Sequence, residues 1–166
     1  ACSASDALSG LSDNCTVSGY GTTVGPHTVT ATVIDGAGNQ NSASVTYGVL
    51  PWRLEGFYQP TDMGGVVNTV RNGSTVPLKF EIFAGDAELT STSIVSQPLR
   101  AVEALCSGGP ADDIELLATG ATSLRYDATA GVFIYNWQTP RKPGYCYVVT
   151  VALVDGTAIS ANFTLR

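Results

Sequence analysis

Charge is scarce in this chain: of 166 residues only 13 per cent are Asp, Glu, Lys or Arg, and histidine and methionine occur once each. The Leu, Glu and Lys that sustain long helices are few, and Lys79 and Lys142 are the only lysines. No segment therefore reads as a long helix. Leu99 to Cys106 comes nearest, but its flanking turns and Cys106 favour a strand. No apolar run is long enough to span a membrane, and neither a signal peptide nor a lipidation motif is present, so membrane insertion is not expected. The eight basic residues do not cluster and the net charge is −6. That balance argues against nucleic acid and against an anionic membrane surface. Cys-x-x-Cys is also missing, and His27 lies far from any cysteine in sequence, which argues against zinc and leaves no cofactor to expect.

Catalytic groups are equally sparse. Acid–base chemistry needs a tuned group beside a nucleophile or metal. His27 follows Gly25-Pro26 at the start of a strand, which suits a half-exposed structural residue. Asp112, Asp113 and Glu115 form the one dense carboxylate cluster. They sit within a single short stretch after Gly108-Gly109-Pro110, not across a cleft, so a solvated turn is expected and weak calcium binding is the alternative. Asp6 and Asp35 suit Asx turns. No enzymatic activity is expected.

What the chain does have is glycine, 18 residues of it, together with a 44 per cent hydrophobic content rich in valine. Strand-type alternation follows. Val29, Ala31 and Val33 alternate with Thr28, Thr30 and Thr32, and Ala43, Val45 and Tyr47 alternate with Ser42, Ser44 and Thr46. Between them Gly36, Gly38 and Asn39 are expected to supply positive-φ positions for a hairpin. Farther on, Val76, Leu78, Phe80 and Ile82 share one face of a strand that places Lys79 and Glu81 on the other. Phe133, Tyr135 and Trp137 share a face and read as core. A hairpin of Cys146 to Val154 with Thr157 to Leu165 is expected across Asp155-Gly156.

The stretch Asn72 to Phe83, Asn-Gly-Ser-Thr-Val-Pro-Leu-Lys-Phe-Glu-Ile-Phe, carries Pro77, Lys79 and Phe80 in an order that resembles the signature of the PxKF domain. Trp52 to Asp62 resembles the opening strand and turn of that family. Asn68, Trp137, Gly144 to Tyr147, Asp155-Gly156 and Ala161 to Phe163 extend the likeness over residues 52–166. The resemblance implies an Ig-like all-β module from the C-terminal region of a large secreted bacterial protein. Asp6 to Leu11, Gly25 to Val29 and Asp35 to Asn39 are similar to bacterial Ig-like repeats whose last hairpin turns on an Asp-x-Ala-Gly-Asn loop. Such repeats begin with further strands before the first cysteine. The first module is thus expected to be small or incomplete, cut within the domain or completed by neighbouring strands.

The fold expected is all-β: two tandem Ig-like antiparallel β-sandwich modules, residues 1–49 and 50–166, joined by Val49, Leu50 and Pro51. A module of about 50 residues is marginal alone. Pairing Cys2 with Cys15 and Cys106 with Cys146 keeps each bridge within one half. Each contributes on the order of 3 to 4 kcal/mol and calls for an oxidising compartment, so an exported, extracellular protein is expected. The absence of an initiator Met suggests excision from a longer precursor. Lys79 invites a Lys–Asn isopeptide bond, but its outward direction argues against one. Asn14, Asn72 and Asn162 match glycosylation sequons that imply little in a bacterial protein.

The role expected is a non-catalytic accessory or spacer segment whose partners are the neighbouring domains of its parent, a polysaccharide-active enzyme or an adhesin. The alternative is a carbohydrate-binding module, with polysaccharide as partner and Trp52 as candidate platform. The commoner role for Trp52 is packing at the junction.

Overall fold

The computed structural model describes residues 2–12, 14–106, 108, 110–114 and 123–166. Strands dominate: β1 (Thr16–Ser18), β2 (Gly25–Ile34), β3 (Gln40–Val49), β4 (Arg53–Tyr58), β5 (Val67–Val70), β6 (Thr75–Ala84), β7 (Ala87–Glu88), β8 (Arg100–Ala104), β9 (Ala111–Asp113), β10 (Leu124–Asp127), β11 (Val132–Gln138), β12 (Cys146–Ala152) and β13 (Ala158–Leu165). A single 3₁₀ turn, Thr92–Ile94, is the helical element among the described residues. Two compact units result, Ala1–Leu50 and Pro51–Arg166. The fold is all-β.

The first unit is one antiparallel sheet in the order β1-β2-β3. Its register pairs Val17 with Ala31 and Ala31 with Ala43, while Val29 faces Val45 and His27 faces Tyr47. Alternation then sorts the side chains: these apolar residues share one face, and Thr28, Thr30, Ser44 and Thr46 share the other. Hydroxyl pairs Thr28–Thr46 at 3.2 Å and Thr30–Ser44 at 2.9 Å run across the polar face. None of the unit's described residues is buried, and Val45 is 69 per cent exposed. A sheet whose apolar face is at most half-buried lacks the burial that stabilises a domain of this size. The Cys2–Cys15 disulfide, with Cα atoms 6.0 Å apart, supplies a covalent constraint.

The hairpin turn departs from expectation. Gly38 alone of the three anticipated residues has positive φ, at 89°. Gly36 is needed for closeness instead, because a Cβ there would lie 2.5 Å from the Ser9 carbonyl oxygen. Asn39 acts through hydrogen bonds. Asp35 Oδ1 accepts the amides of Ala37 and Asn39, and its Oδ2 accepts Asn39 Nδ2 at 2.8 Å, so side chains hold the turn without strained backbone.

The second unit has two five-stranded sheets, β10-β11-β6-β4 with β7 added to β6, and β8-β12-β13-β5-β9. Their inward residues form one core of β-sandwich type. Val76, Leu78, Phe80 and Ile82 of β6 and Val149, Phe163 and Leu165 of β12 and β13 are at or near zero exposure. Phe80 stacks on Phe133 at 5.4 Å, and Trp137 meets Phe163 edge-on at 4.9 Å. Fully burying a Phe or Leu side chain contributes about 1.5–3 kcal/mol, which places the stability of the chain in this unit.

Not every pairing is antiparallel. β5 lies parallel to β13, and β9 parallel to β5. Asn68 explains how β5 is held: fully buried, its Oδ1 accepts the Asp62 amide at 2.8 Å, while Nδ2 donates to the carbonyls of Asp62 and Asn162. One side chain thereby pins both the preceding loop and the adjacent strand. The Cys106–Cys146 disulfide, Cα atoms 5.2 Å apart, ties the end of β8 to the start of β12. Leu99 to Cys106 thus yields the strand β8, and the β12–β13 hairpin pairs Cys146 with Thr164 through Ala152 with Ala158.

Candidate functional site

Trp52 precedes β4, and its place is set by its backbone. Its amide donates to Asp155 Oδ2 at 2.7 Å and its carbonyl accepts from Thr157 Oγ1 at 3.3 Å. Burial works against the Asp155 carboxylate, but the bonds from the Thr157 and Trp52 amides and the Thr157 hydroxyl hold its pKa below the usual value. The half-buried indole packs against the core of the second unit and is not a free-standing platform.

The signature residues lie on β6. Leu78 and Phe80 point into the core and Lys79 is only half-buried, with Tyr58 and Ile134 as cross-strand neighbours, neither an asparagine. Pro77 pairs with Asn136 on β11, whereas the pairing with β4 stops at Lys79. A residue without an amide proton is tolerated there because β6 is not paired on both sides. Tyr58 donates its phenol to Glu81. Burial, then that bond and the Glu81 charge, push the Tyr58 pKa up to about 12.

The carboxylate cluster does not form a turn. Asp112 and Asp113 lie in β9, Asp112 Oδ1 accepts the Asp113 amide, and Asp113 Oδ2 pairs with Arg166 at 2.6 Å, while Glu115 falls outside the described residues. A strand forms here because the carbonyls and amides of 110–114 bond to β5, including Ile114 N to Thr69 O at 2.8 Å. Among the described residues no group of three or more potential ligands could hold a metal ion. Asp6 accepts from the Leu8 amide and the Ser9 hydroxyl, and these bonds lower its pKa. Lys142 bonds Glu103 at 3.0 Å beside the Tyr145 ring. These groups hold loops and strand ends.

One constellation escaped the sequence reading. Tyr20 stacks on Tyr47 with centroids 5.8 Å apart, and Tyr47 stacks on His27 at 5.5 Å. The base of the stack is fixed: the Tyr47 hydroxyl donates to the Gly21 carbonyl at 2.5 Å and accepts the Gly21 amide at 2.8 Å. His27 Nε2 lies 2.6 Å from the Thr23 carbonyl, which can only accept, so Nε2 carries the proton. The flanking glycines are required by contact. A Cβ on Gly19 would lie 2.2 Å from the Thr28 oxygen, and one on Gly21 the same distance from His27 Nδ1. Tyr20 itself is 77 per cent exposed. The legible signal was Gly19-Tyr20-Gly21, an aromatic residue between two glycines in a loop.

Comparison with protein-family models gives no match, and a search of curated proteins gives none either.

Proposed function

We propose that this chain is a non-catalytic spacer segment of a larger exported protein, its second unit an Ig-like module of PxKF type. The observation that carries the reading is the separation of Trp52 and Arg166 within that unit. Trp52 is hydrogen-bonded to the Asp155–Thr157 turn immediately before β13. Arg166 immediately follows β13, with its carbonyl bonded to Asn72. Eight residues of strand separate those points, roughly 25 Å at about 3.3 Å per residue. Trp52 and Arg166 thus lie at opposite ends of a strand, and the unit holds that length between them as a rigid spacer would.

Further support comes from the burial of Leu78 and Phe80, the outward Lys79 and the clamp made by Asn68. Two disulfides favour an oxidising compartment. The test is a distance distribution between labels at Pro51 and Arg166. A narrow distribution centred near 25 Å or beyond, broadening only when the unit unfolds, is expected; a broad one in the native state overturns the proposal.

A further inference from the structure

We propose that Tyr20, mounted on Tyr47 and His27, is a stacking platform for a neutral pyranose of a polysaccharide chain. Binding and spacing are separable, because the platform belongs to the first unit and the residues that make the second a spacer belong to the second. Three features select the ligand. The outer ring is exposed while its support is fixed at both Tyr47 and His27, so little order is lost on binding. A flat exposed ring suits a sugar, whose C–H face stacks while its hydroxyls stay in water; an apolar small molecule needs an enclosing pocket instead.

Charge decides the rest. Residues 1–50 contain no lysine or arginine to pair with an anionic glycan. The described carboxylates of this unit, Asp6 and Asp35, act on each other, and Asp35, in the turn at the far end of β2, is eight residues from His27, about 26 Å along the strand, too distant to attract a cation through physiological salt. The exposed hydroxyls of Ser18, Thr22 and Thr23 flank Tyr20 in sequence and offer neutral hydrogen-bonding groups.

The test titrates the full chain with cellohexaose, maltohexaose and chitohexaose, with an oligogalacturonate as the anionic comparison, following the Tyr20 ring resonances by NMR. At least one neutral hexasaccharide is expected to shift those resonances saturably. Tyr20→Ala should weaken that binding at least about tenfold, Tyr20→Phe should keep it, and Tyr145→Ala, which removes another exposed ring, should leave it unchanged. The assignment fails if no neutral sugar moves the Tyr20 ring, if only the anionic oligomer binds, or if Tyr20→Ala binds as the parent does. Should Tyr20→Ala unfold the first unit, the wild-type ring shifts and Tyr20→Phe still decide the matter.

Discussion

Phe80 and Lys79 are adjacent in sequence but belong to different physical regimes. Phe80 has no exposed surface and touches the rings of Phe57 and Phe133, whereas Lys79 is half-buried on the opposite face. Replacing Phe80 by Ala should cost about 3–5 kcal/mol through lost burial and a residual cavity. Lys79→Ala should cost within about 1 kcal/mol, and urea unfolding of both variants measures the contrast. Asp155 gives a pH-dependent case. Its folded pKa is depressed, so its contribution is complete above the ordinary carboxylate value of 3.8 and is lost as pH falls through the folded value. Asp155→Ala should therefore lower stability by about 1.5–3 kcal/mol at neutral pH, the range for hydrogen bonds to a charged group. The urea midpoints of variant and parent should converge on acidification below that value. A constant gap down to the acid limit would show that Asp155 acts by shape alone.

Alternation made the strands legible, since Leu78, Phe80 and Ile82 or Phe133, Tyr135 and Trp137 announce a buried face by their period alone. What alternation does not encode is partner choice. The parallel placement of β5 against β13 and β9 depends on Asn68, whose hydrogen bonds reach from Asp62 to Asn162, a separation no local pattern contains. Asp112 and Asp113 read as a turn for the same reason, because long-range backbone bonds to β5 overrode their local preference. Tyr20 carried a local signal in its flanking Gly19 and Gly21, but its stacking on Tyr47 joins residues 27 apart in sequence, which no local pattern contains. At this scale the two hairpins should differ. β2–β3 is as long as any strand pair here but buries no side chain among the described residues of its unit, whereas β12–β13 closes a core. Amides of β2 and β3 should exchange with solvent well before those of β6, β12 and β13 in native-state hydrogen exchange. Equal protection would mean that the first sheet has an apolar partner.

Stability should be just as unevenly divided over the whole molecule. Every fully buried hydrophobic side chain among the described residues lies beyond Leu50. The two bridges close loops of different length, 13 and 40 residues, for which chain entropy gives about 3 and about 4 kcal/mol. In the first unit that constraint is large compared with what an open sheet can supply, whereas in the second it supplements a packed core. A fragment of residues 51–166 should therefore fold alone and keep the thermal midpoint of that unit in the full chain. Residues 1–50 excised should show little cooperative structure, and reduction should remove what remains. Calorimetry of the full chain and both fragments, oxidised and reduced, measures this directly. If the 51–166 fragment melts well below the corresponding transition of the full chain, the division at Leu50 is not energetic.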